Sequence, residues 1–137
     1  MNTFPHHNNI HHNAFYQLDT GIVVGDFADD NTIRHNDIHG NDCGILYMEN
    51  SSFCENNIYQ NRYGAIILYC TVDAKRNWWG SADGPSGDGP GSGDYIRSTS
   101  ATVIFEPWLK HAANTKLSVF QYVIACLRVH LRSWVLL

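Results

Sequence analysis

The chain has 137 residues, 44% of them hydrophobic and 16% charged, and a formal net charge of −4. That length suits a single domain. All thirteen acidic residues lie at or before Glu106, four of the nine Lys and Arg follow it, and no basic stripe is interleaved with aromatics, which argues against nucleic acid as a partner.

In chain order, three segments share one pattern: Asn8-Asn9-Ile10-His11-His12-Asn13, Asn36-Asp37-Ile38-His39-Gly40-Asn41 and Asn56-Asn57-Ile58-Tyr59-Gln60-Asn61. A degenerate copy follows at Arg76-Asn77-Trp78-Trp79-Gly80. Ile10, Ile38, Ile58 and Trp78 are separated by 28, 20 and 20 residues. A second series runs alongside: Gly21-Ile22-Val23-Val24, Gly44-Ile45-Leu46-Tyr47 and Gly64-Ala65-Ile66-Ile67. Self-similarity at a short period signals a solenoid, in which no single repeat buries its own apolar face.

Both runs in each repeat are too short for helices and are bounded by Asn, Asp, Gly and Ser. The regularly spaced leucines of a leucine-rich repeat are missing. The expected fold is therefore all-β, a right-handed parallel β-helix of about three to four coils, with equivalent residues about 4.8 Å apart along the axis. In this register Ile10, Ile38, Ile58 and Trp78 form an interior ladder. Asn9, Asp37, Asn57 and Asn77 form a polar ladder beside it, and Asn13, Asn41 and Asn61 another at a turn. Stacked amides can hydrogen-bond along the axis, and Asn tolerates left-handed corners. The 28-residue interval implies an insertion within Ala14–Thr20 or Gly25–Asp30. Val23, Leu46 and Ile66 are expected to face outward as an apolar stripe that needs a cover.

Past the coils, Asn77–Asp94 reads as an irregular loop rich in Gly, Pro, Ser and Asp. Its Asp83, Asp88 and Asp94 are candidate calcium ligands, with a solvated loop as the alternative. Trp78 is expected to plug the coil stack, and Trp108 to anchor a returning strand over Thr102–Phe105. Trp79 and Tyr59 are the candidate aromatics for stacking on sugar rings. The tail from Lys116 on is apolar, but Arg128, His130 and Arg132 interrupt it, so it falls short of the ~20 apolar residues of a membrane span. A helix packed on the coils, or an interfacial helix, fits it better, and self-association through the tail is open. The cysteines Cys43, Cys54, Cys70 and Cys126 lack metal-finger spacing, and buried free thiols are expected.

The pattern N-x-I-x-x-N followed by G-I-x-Φ resembles the right-handed parallel β-helix repeats of the pectin-lyase-like family. The stretch Val72–Gly80, with Gly84-Pro85, Gly89-Pro90-Gly91 and Pro107-Trp108-Leu109, is similar to the closing portion of secreted or surface β-helix proteins. The resemblance covers roughly Asn8–Leu109, dividing the chain into a β-helix fragment at 1–109 and an apolar basic tail at 110–137. It implies an exported or cell-surface protein. The opening of this chain is polar and His-rich where a signal peptide is basic then apolar, so for an exported protein the signal is expected upstream, in a longer parent.

Three functions compete. The first is a non-catalytic scaffold that binds a polysaccharide or a surface protein. The second is a polysaccharide lyase or epimerase, which needs a basic residue to take the proton α to a uronate carboxylate and a cation to stabilise the resulting charge. Its candidates are Asp42 with Arg62, twenty residues apart and so stacked on adjacent coils, and His39 beside Asp37. The third is a metal protein using His7, His11, His35 and His39, paired at intervals of 28. Imidazoles suit copper, nickel or zinc, and β-helix proteins associated with copper delivery give the idea an analogue. No cofactor is certain from these residues.

Overall fold

The computed structural model describes residues 7–116 except 26, 27, 29 and 51. Each of the first three coils carries three short strands. They are β1 (Asn9–His11), β2 (Ala14–Tyr16) and β3 (Thr20–Val24); β4 (Thr32–Arg34), β5 (Asp37–His39) and β6 (Cys43–Tyr47); and β7 (Ser52–Cys54), β8 (Asn57–Tyr59) and β9 (Tyr63–Leu68). The fourth coil contributes β10 (Thr71–Asp73), an isolated bridge from Asn57 to Trp78, and, after a loop holding β11 (Pro85–Gly87), β12 (Gly93–Thr99). β13 (Thr102–Ile104) begins a further turn. The strands stack in parallel as three sheets, β1-β4-β7-β10-β13, β2-β5-β8 and β3-β6-β9-β12-β11. This is a parallel β-helix.

The corners explain the composition. The residues at the first corner of each coil, His12, His35, Glu55 and Arg76, all have φ between 55° and 59°. After the second strand come Gln17, Gly40, Gln60 and Gly80, again with positive φ. Non-glycine residues enter this left-handed region at a cost. Here the residue that follows is usually Asn, whose amide bonds to the next coil. Asn56 Oδ1 accepts from the Asn36 backbone N–H and Nδ2, each at 3.0 Å, and Asn77 Oδ1 accepts from the same two groups of Asn56 at 3.0 and 3.2 Å. Asn56 Nδ2 donates in turn to the Ile33 and Cys54 carbonyls. A second ladder runs from the Leu18 N–H to Asn41, Asn61 and then Asp94. Asn36, Asn41, Asn56, Asn61 and Asn77 are buried, yet their amides are bonded, so burial costs little.

These ladders correct the predicted register of the first coil. Ile10 pairs with Ile33, whereas Ile38 pairs with Phe15 and Ile58. Within a coil the unit N-x-Φ-x-x occurs twice, at Asn31-Thr32-Ile33-Arg34-His35 and Asn36-Asp37-Ile38-His39-Gly40. Aligning Asn8 with Asn36 therefore slips by one five-residue unit. The first spacing is 23 residues, as in Ile10 to Ile33, against 20 from Ile33 to Phe53. The insertion is three residues long and sits between β3 and β4. Asn13 belongs under Asn36, and Asn77 under Asn56, not in the ladders expected for them. The Gly-led series needs no correction: Ile22, Ile45, Ala65 and Ile96 stack in register. A Cβ on Gly44 would stand 2.6 Å from the Gly64 carbonyl oxygen, so this corner admits only glycine without movement.

The core is one column of apolar side chains, including Ile33, Phe53, Ile38, Ile58, Ile45, Tyr47 and Trp79, all with no exposed surface. The fourth coil carries a further correction. Asn57 bridges Trp78, so Ile58 lies opposite Trp79. A one-residue change in register reverses every side chain. Trp79 is therefore the interior residue and Trp78 the outward one. Trp79 Nε1 has no hydrogen-bond partner among the described residues.

Outside the coils, Val23, Leu46 and Ile66 align as an outward apolar column, with Val23 exposed. Cys43, Cys54 and Cys70 are free thiols, and burial pushes that of Cys43 up to about 11. Cys126 and the tail beyond 116, including the expected helix, lie outside the described residues. Residues 110–116 are not helical; they run as a strap back along the coils. Leu109 N–H bonds the Asn77 carbonyl, Ala113 exchanges two hydrogen bonds with the Asn57 amide, and Thr115 Oγ1 donates to Asp37 at 2.7 Å. No helix among the described residues is long and apolar enough to cross a membrane.

Candidate binding groove beside an aromatic ladder

On the outer face of the β2-β5-β8 sheet, the register places Tyr16, His39 and Tyr59 in one column. Their rings stack at 5.5 and 4.9 Å, with planes within 8° and 14° of parallel. Partial burial and the nearby Asp37 carboxylate raise the Tyr59 hydroxyl above the usual tyrosine range. Beyond Tyr59 the surface opens into a groove of ≈ 430 Å³ lined by Tyr59, Arg62, Trp78, Ser92, Asp94 and Tyr95, with Gly80 and Trp79 among its other residues. That volume is within the ~300–1,000 Å³ of small-ligand clefts.

Four residues assigned from sequence to three different roles thus meet in one place: Tyr59, Trp79, Arg62 and Asp94. Trp79 has no exposed surface, so the aromatic surface expected of it belongs to Trp78. Arg62 pairs with Asp42 at 3.7 Å on adjacent coils, both well exposed, and its guanidinium lies 5.5 Å from the Tyr63 ring centroid. Asp94 Oδ2 accepts from the Asn61 N–H and Nδ2 at 3.0 and 2.7 Å. Burial still raises its pKa above the ordinary value, those hydrogen bonds opposing the shift.

The other candidates separate. Asp37 is engaged by Asn57 and Thr115, and His39 stacks between two tyrosines. Asp83 accepts from the Ser92 N–H and Oγ at 3.0 Å, and bonds from Ser81 and then Ser92 hold its carboxyl below the usual range. Asp83, Asp88 and Asp94 do not converge on a calcium-sized site, for among the described residues no three His, Cys, Asp or Glu side chains gather as metal ligands.

The histidines obey the 23-residue spacing instead of 28. His7 lies 3.6 Å from Asp30, and His12 rather than His7 stacks over His35, their centroids 5.3 Å apart. His35 Nε2 reaches Glu55 at 2.8 Å. His11 and His12 bring their Nδ1 atoms to 2.7 Å. Burial, then the neighbouring His11, His35 and Arg34, lower the His12 pKa and favour its neutral, ligating form. This supplies two imidazole nitrogens, fewer donors than a closed metal site requires, so the described residues fit a copper ion incompletely.

Coils, corner ladders and outer columns together define a parallel β-helix repeat protein with a groove where the repeat ends. Its family model, described as periplasmic copper-binding protein (NosD), matches residues 2–81, more than half of the chain, and the chain belongs to that family. No curated protein and no solved structure matches it.

Proposed function

We propose that this chain is a non-catalytic β-helix scaffold of an exported protein, whose outer wall binds carbohydrate. The observation that carries the reading is the dispersal of its reactive side chains. Asp37 is held by Thr115, His39 lies between two tyrosine rings and Asp42 pairs with Arg62 at the exposed surface, while aromatic and polar groups line an open groove. The periplasmic description of the family supports export. The test is to incubate the whole chain with uronic-acid polysaccharides and calcium and follow the ultraviolet absorbance of the unsaturated uronate that β-elimination leaves. The scaffold reading expects a flat trace. A rise abolished by Arg62→Ala or Asp42→Ala would replace it with a lyase.

A second reading, copper binding, is favoured by the His11–His12 contact and the family's description. It expects saturable binding of one copper ion per chain, lost in a His11→Ala, His12→Ala double variant and reversed by acidification through the imidazole range. Unsaturable binding, or binding indifferent to both histidines, would remove this reading.

A further inference from the structure

The column Tyr16, His39, Tyr59 stops one rung short. Because Asn57 bridges Trp78, the residue opposite Tyr59 on the fourth coil is Gly80. A Cβ at Gly80 would stand 3.1 Å from Tyr59 Cβ and 4.0 Å from Asp94 Oδ1, so any side chain there enters the space next to the Tyr59 ring. Gly80 is exposed and has φ +84°, a conformation that L side chains rarely adopt. The fourth rung therefore carries no ring, and the groove opens beside it.

The surroundings of this rung are mixed. One wall is aromatic, from Tyr59 and the half-buried Trp78. Arg62, Ser92 and Asp94 supply polar groups, with the Tyr95 ring beside them. A pyranose matches that division, since its C–H face packs on an aromatic ring while its hydroxyl rim needs hydrogen-bonding groups. A flat aromatic ligand would leave the charged rim unmatched, at a desolvation cost.

We propose that the groove is a subsite for one hexopyranose unit of an oligosaccharide, seated on the Tyr59 face in the rung that Gly80 leaves open. The proposal rests on the scaffold reading and names the ligand class of its surface.

The test is titration of the full chain with cellohexaose, mannohexaose and an oligogalacturonide, read by protein NMR and calorimetry, with thermal melts as the folding control. At least one oligosaccharide should shift the signals of Tyr59, Gly80 and Asp94. Tyr59→Ala, and Gly80→Asn, which puts a side chain on the open rung, should each raise Kd about tenfold or more. Tyr16→Ala, at the far end of the same column, should change it less than about twofold. The wild-type shift map decides the matter should either variant fail to fold. Shifts confined to other faces, or binding sensitive to Tyr16→Ala alone, would overturn the subsite while leaving the carbohydrate-binding scaffold in place; no binding by any of the three sugars would overturn the subsite and count against a carbohydrate ligand for the scaffold. Cleavage of a bound sugar would instead remove the scaffold reading.

Discussion

The coils between Asn31 and Asn77 and the segment between Gly80 and Asp94 treat their polar groups in opposite ways. In the coils, corner amides are passed from one layer to the next: Asn36 to Asn56 to Asn77, and Asn41 to Asn61. Their side chains are satisfied, buried and closed to ligands. In the later segment the period fails. The ladder ends on the carboxylate of Asp94, the aromatic column ends at Gly80, and the intervening loop carries β11. Repetition satisfies the buried polar groups, and the interruption opens the groove.

The largest effect should come from breaking a ladder at its centre. Asn56→Ala strands the Asn36 N–H, takes one acceptor from the Asn36 amide and removes donors to Ile33, Cys54 and Asn77. Denaturant unfolding should show a loss of about 3 kcal/mol or more, whereas Asn13→Ala, at the exposed first coil, should lose about 1 kcal/mol or less. Equal losses would mean that position in the stack is irrelevant. Gly44→Ala should cost about 1–3 kcal/mol in the same measurement, because the new Cβ meets backbone at 2.6 Å.

Asp94 sharpens the contrast through pH. Its folded pKa is raised by burial, so its contribution to stability is fully present below the unfolded carboxylate pKa and lost as pH rises through the folded value. Asp94→Asn would extend the amide ladder without a charge. Relative to wild type, it should gain stability progressively from acid to neutral pH, as followed by thermal melts. A constant difference across that range would assign Asp94 no such cost. The smallest effect is expected at Arg62→Ala. Its exposed pair with Asp42 should contribute under about 1 kcal/mol, so any large loss of sugar affinity there would report contact in the groove, not stability.

The coil architecture was legible because Asn, Gly and β-branched residues recur where corners and strands require them, and the Gly44 and Gly64 series even gave the right register. The first coil misled because N-x-Φ-x-x repeats inside each coil as well as between coils, so Asn8 matched Asn36 as convincingly as Asn31. Trp78 and Trp79 were exchanged because a 21-residue step replaces a 20-residue one there, and with period-2 side chains one residue decides inside from outside. Tyr59 and Arg62 could be picked from sequence as single candidates. Their meeting with Asp94 depends on a loop that carries no period to extrapolate.

The most direct test is hydrogen exchange of the full chain with and without the oligosaccharide panel. The Asn36, Asn41 and Asn56 amides, which donate to the corner ladders, should exchange slowest and be unaffected by sugar, while added protection should fall on residues 59–62, 78–80 and 92–95. Fast exchange at those corner amides, or protection spread evenly over the coils, would contradict a rigid repeat with its recognition surface at the break.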